Sequence, residues 1–322
     1  VLRPVEFDRT LLIMNEHWIA IVNPKSGSAG DDFRGVIETA LQERGVAHEI
    51  RETTIERGGG ILAQEAVEQG ATHILACGGD GTVMECVNGV GKAKKEATLG
   101  IVPGGTANLL ATALNIPRGD VDGAIGALVA GEDRVIDLGQ CGEHLFALGL
   151  GLGLTERLVS QTSAKEKEVI GKWAYARAMM MELGARPHNF TLVLDGKKIR
   201  ERGVALVVAN AGEISGKLQF APDAKMDDGV LDICVLRRFY FRDVLRMGWT
   251  TLFGDIRADR AVEFYQAKTT EILSDPPLDL QIDGEEVEQQ TPLRVEVRPG
   301  ALRVRVPIDT PLPDKEAKEA NV

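Results

Sequence analysis

His73-Ile74-Leu75-Ala76-Cys77-Gly78-Gly79-Asp80-Gly81-Thr82 sets the reading of this chain. Its apolar first half reads as a buried strand. The glycines that follow let backbone amides come close to an anion. A tight turn needs one or two glycines; three around a carboxylate point to phosphate. Asp80 in the middle of such a loop suggests a nucleoside triphosphate with Mg²⁺. A second apolar run, Leu99-Gly100-Ile101-Val102, ends in Pro103-Gly104-Gly105-Thr106-Ala107-Asn108. A third, Trp18 to Val22, ends in Asn23-Pro24-Lys25-Ser26-Gly27-Ser28. That last loop departs from G-x-x-x-x-G-K-[ST], which excludes a standard P-loop protein. It can still cradle phosphate through its amides, with Lys25 or Ser26 assisting. Three such loops, each after a strand, point to one cleft.

Outward from these loops, strand and helix alternate. Residues 31–44 carry Phe33, Val36, Ile37, Ala40 and Leu41 on one helical face. A strand follows over 46–51, a helix through 61–68, a strand over 74–77 and a helix over 83–90. After the strand at 99–102, helices begin near Ala107 and Val121. This order implies a parallel, doubly wound α/β nucleotide-binding domain with ligands beyond the carboxyl ends of the strands. It is expected over residues 1–130, its core beginning near 17.

The pattern changes near Asp133. Runs at 135–138, 145–148, 190–194, 204–208, 230–236, 278–282, 293–297 and 302–306 read as strands. Asp195-Gly196 and Pro299-Gly300 read as turns between strands. Helical inserts are expected over 167–183 and 241–253. Residues 131–307 are therefore expected to form a mostly antiparallel β-sandwich domain, and 308–322 a flexible tail.

Composition limits the function classes. The chain has 322 residues, is 44% hydrophobic and carries a net charge of −11. That acidity argues against a nucleic-acid binder. Cys77, Cys86, Cys141 and Cys234 form no C-x-x-C pair and read as reduced core thiols of a cytoplasmic protein. The longest apolar stretch, Leu145 to Leu154, is far shorter than the roughly 20 residues that span a bilayer.

The ordered motifs resemble the three signatures of the diacylglycerol kinase catalytic-domain family, nearest to its soluble bacterial lipid kinases, relatives of sphingosine and ceramide kinases. The similarity runs from about Trp18 to Pro307. Ala221-Pro222-Asp223-Ala224-Lys225-Met226-Asp227-Asp228-Gly229-Val230-Leu231-Asp232 resembles the family's P-x-A-x-x-D-D-G-x-L-D segment, Ile282-Asp283-Gly284-Glu285 its D-G-E, and Gly171-Lys172-Trp173-Ala174-Tyr175 its usual helix. G-G-D-G-T alone is shared with NAD kinases; the P-x-G-T-x-N and D-D-G-x-L-D elements favour the lipid-kinase side.

The resemblance implies an ATP- and Mg²⁺-dependent kinase acting on diacylglycerol or a related membrane alcohol. Asn23, Pro24, Lys25, Ser26, Gly27, Thr54, Gly78, Gly79, Asp80, Gly81, Thr82, Val83, Gly105 and Thr106 would line the ATP site. Lys225 and Val230 through their carbonyls, and Asp228 through its carboxylate, would hold a structural Mg²⁺. Glu285 would be the general base, with Asp80 as the alternative. Asp227-Asp228-Gly229 and Asp283-Gly284 read, on their own, as hairpin turns. Two departures from the family pattern stand out: Met84 is found where many bacterial members carry Asn, and Thr155 replaces the Asp of G-x-G-x-D-A, so that a recognition carboxylate is missing or displaced to Glu156, which bears on the lipid rather than on phosphoryl transfer.

A stripe of Arg242, Arg246 and Trp249 suits contact with an anionic membrane. The expected location is the cytoplasm, transiently at the inner face of the membrane, and a homodimer is left open. The rival readings are an NAD kinase-like enzyme and a non-catalytic lipid-binding or regulatory protein. The second of these would be marked by loss of Asp80 or Glu285, and both are present.

Overall fold

A computed structural model of the chain describes residues 16–26, 32–153, 187–212, 221, 224–237 and 262–308. It separates into two compact units, Val1–Ile136 with Ala301–Val322, and Asp137–Gly300.

In the first unit, β1 (Trp18–Val22), β2 (His48–Glu52), β3 (His73–Gly78) and β4 (Thr98–Pro103) lie parallel in the order β2-β1-β3-β4. The strands β1, β3 and β4 are buried along their whole length, which is why they read as unbroken apolar runs. The helices are α1 (Phe33–Glu43), α2 (Gly59–Glu68), α3 (Asp80–Lys92), α4 (Leu109–Ala113) and α5 (Val121–Val129). Asp32 starts α1 by accepting the Gly35 N–H at 3.2 Å, and Asp120 starts α5 by accepting the Gly123 N–H at 2.9 Å.

From β1 the chain moves out to β2, then returns past β1 to β3 and on to β4. Right-handed crossovers put α1 on one face and α2 with α3 on the other. Accordingly α1 packs with α5, and α2 with α3. The reversal leaves a crevice at the carboxyl ends of β1 and β3, the place where open α/β sheets hold their ligands. The loops from Asn23 and from Gly78 leave those two strand ends.

The second unit is built from antiparallel strands. Its elements are β5 (Glu132–Cys141, entering from the first unit), β6 (His144–Phe146), β7 (Gly149–Leu152), β8 (His188–Leu194), β9 (Lys197–Gly203), β10 (Ala205–Ala209), β11 (Leu231–Leu236), β12 (Val262–Ala267), β13 (Thr269–Asp275), β14 (Asp279–Ile282), β15 (Glu285–Gln290) and the first part of β16 (Leu293–Val306). One sheet has the order β12-β11-β10-β7-β14-β15. The other layer runs β16-β13-β8-β9. Leu150, Leu206, Ile233 and Leu280 from the first layer share one core with Phe190, Leu192, Ile272 and Val295 from the second. The unit is therefore a β-sandwich. Asp195-Gly196 is the two-residue turn of the β8–β9 hairpin, with φ of 46° and 84°.

The structure departs from the sequence reading at several points, and β9, β12, β13 and β15 were not expected. The strands expected at 293–297 and 302–306 are one 14-residue strand, β16. Pro299-Gly300 is a bend within it. Gly300 takes a φ of 61°, and its N–H is satisfied by the Asp137 carboxylate at 2.7 Å. Past the bend, Arg303 and Val304 pair in parallel with Thr98 and Leu99 of β4. The strand expected at 145–148 is split between β6 and β7, because one side chain takes the amide groups of 147–149, as shown below. The inserts expected at 167–183 and 241–253, and the tail past 308, lie outside the described residues.

Candidate active site

The glycine loops meet closely. The Asn23 Nδ2 donates to Thr82 Oγ1 at 3.0 Å, the Asn23 N–H to Cys77 O at 2.9 Å, and the Gly104 N–H to Gly78 O at 2.8 Å. A Cβ on Gly105 would sit 2.6 Å from the Gly79 Cα, so these two loops touch through bare backbone. A Cβ on Gly104 would sit 2.9 Å from the Phe33 ring. Gly79 begins α3 with no capping side chain. Among the described residues no side chain caps the amides of this first turn, the arrangement that receives phosphate oxygens. Ser26 Oγ is buried with no hydrogen-bond partner among the described residues. An orphaned hydroxyl beside a glycine cradle fits a phosphate oxygen as its missing partner.

Asp80 occupies a different position from the one its place in the loop suggests. Its carboxylate reaches across to the start of α4, where Oδ2 accepts the Asn108 N–H at 2.8 Å and Oδ1 the Leu109 N–H at 2.5 Å. Asn108 sits in the left-handed region (φ 50°). It folds back on its own loop, its Oδ1 accepting from Gly105 N–H at 2.9 Å and its Nδ2 donating to Gly105 O at 2.7 Å. Asp80 is thus a brace that holds the second glycine loop against the first. Each such charge-assisted bond contributes about 1.5–3 kcal/mol.

The remaining nucleotide-site residues divide by exposure. Pro24, Lys25, Thr54 and Thr106 are exposed, and Gly81 is half-buried. Thr54 closes a small turn after β2: its N–H donates to Arg57 O at 3.0 Å and its Oγ1 accepts the Arg57 N–H at 3.1 Å. The Val83 side chain lies in the core, and its N–H bonds Gly79 O, so it supports the helix start. Gly27 lies outside the described residues, as do Thr155, Arg242, Arg246 and Trp249.

In the second unit, Lys225, Asp228 and Val230 lie on the turn that leads into β11. Gly229 takes a φ of 74°, and Asp228 Oδ1 accepts the Val230 N–H at 3.2 Å. Two carbonyls and one carboxylate are hard oxygen donors, which suit Mg²⁺. No cluster of three or more His, Cys, Asp or Glu occurs among the described residues, and this donor set does not require one. Glu285 is exposed at the start of β15, directly after the β14–β15 turn at Asp283 (φ 49°) and Gly284 (φ 90°). The carboxylate is therefore accessible from outside the fold.

The residue that the sequence reading passed over is Asp283. It is buried, and its carboxylate accepts the N–H groups of Ala147, Leu148 and Gly149 at 3.0, 2.9 and 2.8 Å. Burial pushes its pKa up to about 6, against the pull of those three amides. The signal for it was the D-G pair itself, which reads as an ordinary hairpin turn. All four cysteines are unpaired and buried, and burial raises each pKa, which leaves them inert. No helix among the described residues is long and apolar enough to cross a membrane.

Comparison with known proteins agrees with this layout. Residues 17–141 match the diacylglycerol kinase catalytic domain family model, and 153–306 match the YegS C-terminal NAD kinase beta sandwich-like domain. The diacylglycerol kinase of Bacillus subtilis (strain 168) is 30% identical over 269 residues, covering 82% of this chain and 88% of that protein. A protein of Xanthomonas campestris pv. campestris named "Probable lipid kinase YegS-like" is 31% identical over 307 residues, covering 92% and 98%. A crystal structure of a diacylglycerol kinase from Bacillus anthracis str. Sterne superposes with a TM-score of 0.73 at 21% identity, over 92% of this chain and 98% of that one, and shows the same fold.

Proposed function

This chain belongs to the diacylglycerol kinase catalytic-domain family, and from that premise we propose that it is an ATP- and Mg²⁺-dependent lipid kinase. It transfers the γ-phosphoryl group of ATP to the hydroxyl of a membrane lipid, diacylglycerol or a related alcohol. The observation that carries the reading is the convergence of three loops at the carboxyl ends of β1, β3 and β4. They offer an uncapped helix start, glycines in backbone contact and an orphaned Ser26 hydroxyl.

The residues divide the work as follows. The amides at the start of α3, with Ser26 and Lys25, bind the phosphates and orient them. Asp80 keeps the Gly104–Asn108 loop in register through Asn108 and Leu109. Lys225, Asp228 and Val230 would hold Mg²⁺, which when bound supplies positive charge that fixes this turn. Glu285 takes the proton of the lipid hydroxyl as its oxygen attacks phosphorus. The work is done in the cytoplasm, with transient docking at the inner face of the membrane through Arg242, Arg246 and Trp249.

The test is incubation with labelled ATP, Mg²⁺ and a panel of acceptors in mixed micelles: diacylglycerol, a sphingoid base, ceramide and, separately, NAD. Label in a lipid product supports the reading. Label in NAD alone, to which the name of the matched second-domain family gives some weight, replaces it with an NAD kinase. No label in any acceptor favours a non-catalytic lipid-binding role.

A further inference from the structure

Phe33 is the first residue of α1 and is 3% exposed. The helix does not need an aromatic ring in order to begin there. Asp32 already starts α1 by accepting the Gly35 N–H, and Ile37, Ala40 and Leu41 already give the helix a buried face. What marks Phe33 is where its ring lies. A Cβ on Gly104 would sit 2.9 Å from Phe33 Cζ, 3.0 Å from Phe33 Cε1 and 3.2 Å from the Cβ of Ser26. The ring and Ser26 thus meet the Gly104 loop at the same point, and only a residue without a side chain admits both. The loop cannot retreat from them, because the Gly104 N–H is tied to Gly78 O at 2.8 Å.

Ser26 is the residue on which this packing bears. Its N–H donates to Asn23 O at 3.2 Å, which ties its backbone to its own loop. Its Oγ is buried and has no hydrogen-bond partner among the described residues. Leaving a buried hydroxyl unpaired is costly. A serine free to shift would bring that hydroxyl to a nearby backbone group. Packing at the point shared by Phe33, Gly104 and Ser26 keeps the residue where it is, and close-packed interiors transmit such constraints.

We propose that Phe33 is a positioning residue for the nucleotide: its ring, packed on Gly104 beside Ser26, keeps the Ser26 hydroxyl unpaired and available to a phosphate oxygen. The proposal rests on the reading of Ser26 as a phosphate ligand. Phe33 acts through Ser26 and needs no contact of its own with nucleotide or lipid. The competing account is a plain core role. Stability cannot separate the two, because truncating any buried Phe lowers it.

The experiment is a double-mutant cycle read in ATP affinity. Titration calorimetry with ATP and Mg²⁺ is run on the full chain for the parent, Phe33→Leu, Ser26→Ala and the pair, each checked for folding by urea unfolding. Leucine keeps the position apolar and removes the flat ring. Ser26→Ala should weaken ATP about tenfold, the worth of one hydrogen bond to a charged group. Phe33→Leu should weaken it about threefold to tenfold in the parent background. The pair should match Ser26→Ala within about twofold, because the ring then has no hydroxyl left to position. A ring that only supports the fold would weaken ATP by the same factor in both backgrounds.

Gly104 gives an independent reading of the same packing. Gly104→Ala forces a methyl group against the ring and should weaken ATP about tenfold or more. Adding Phe33→Leu makes room for that methyl, so the pair should bind ATP more tightly than Gly104→Ala alone. If Phe33→Leu does not fold, Phe33→Met, which refills irregular gaps, takes its place in both comparisons. Equal weakening by Phe33→Leu in the parent and Ser26→Ala backgrounds overturns the proposal, as does full ATP affinity in Phe33→Leu. Weaker binding by the Gly104→Ala/Phe33→Leu pair than by Gly104→Ala alone also overturns it. Unchanged ATP binding by Ser26→Ala removes the phosphate role of Ser26 and the proposal with it. Transfer of label to lipid is measured on the parent alone, so failure of the kinase reading shows there and not in the cycle.

Discussion

Gly79 and Gly105 face each other across the two glycine loops, and the contact is asymmetric. An added Cβ on Gly105 would lie 2.6 Å from the Gly79 Cα, whereas one on Gly79 would lie 3.5 Å from the Gly105 Cα. The first distance is about 1 Å inside ordinary carbon–carbon contact, and its neighbour is backbone that cannot rotate away. Gly105→Ala must therefore push the loops apart, an overpacking effect of about 1–3 kcal/mol. Gly79→Ala meets no such clash, and its φ of −81° is open to alanine. Restricting the unfolded chain should even stabilise it by about 0.4–1 kcal/mol. The two variants should thus differ in stability by roughly 1–4 kcal/mol, or about 2–16 °C in melting temperature at 2–4 °C per kcal/mol. Calorimetric melting of parent, Gly79→Ala and Gly105→Ala side by side measures the difference. Nucleotide binding supplies the second half of the test. Gly79→Ala adds a methyl group where phosphate approaches the backbone, so it should stay folded and bind ATP at least tenfold more weakly. Equal melting of both variants, or Gly79→Ala as the less stable, would refute the loop packing. Undiminished ATP binding by Gly79→Ala would refute the cradle.

Asp80→Asn should lower stability as well as turnover, because one of the two amides held by the carboxylate must then face an NH₂ group; a loss of about 1.5–3 kcal/mol in urea unfolding is expected, and an unchanged midpoint would contradict the brace. Asp283 supplies a pH signature. Its folded pKa is raised from 3.8 to about 6, so the native state binds the proton more tightly than the unfolded chain does. Its contribution to stability is therefore largest below pH 3.8, falls as pH rises to about 6 and is flat above. The stability difference between parent and Asp283→Asn should follow that curve in urea melts, and taking the difference cancels buried His73, whose lowered pKa acts in the opposite sense; a difference independent of pH between 4 and 7 would sink the assignment. Arg242→Glu/Arg246→Glu should reduce co-sedimentation with anionic vesicles at low salt, and the parent's binding should fade at high salt; equal binding by both would remove the docking role.

The glycine loops were legible because three independent constraints coincide there. Buried parallel strands give unbroken apolar runs, the strand ends need glycine where backbones touch, and the spacing places every loop at the same edge of the sheet. Asp80 was legible as important, but its two amide partners were not. A carboxylate in a phosphate loop suggests the metal, whereas its bonds run to amides 28 and 29 residues away. No local pattern reports such a partner. Edge strands β9 and β15 were missed for a related reason: Lys197 to Gly203 and Glu285 to Gln290 are mostly polar, because their outer sides meet water. The last strand hid its destination too. Leu302 to Val306 alternates like any half-buried strand, and nothing in it announces pairing with Thr98 and Leu99 two hundred residues earlier. Asp137 and Asp283 were hidden because a buried carboxylate that binds amides looks, in sequence, like any acid near a turn.

The central claim is that Glu285 serves phosphoryl transfer to a lipid hydroxyl. Initial rates of labelled phosphate transfer from ATP to diacylglycerol in mixed micelles, for parent and Glu285→Gln at matched protein folding and matched ATP affinity, test it most directly. Glu285 is exposed and bears none of the backbone bonds that Asp80 and Asp283 carry, so the replacement isolates the chemistry. The expected result is lipid phosphorylation by the parent and a fall of roughly 10²–10⁴-fold in kcat for Glu285→Gln with ATP binding retained. Lipid phosphorylation at the parent's rate by Glu285→Gln would contradict the account.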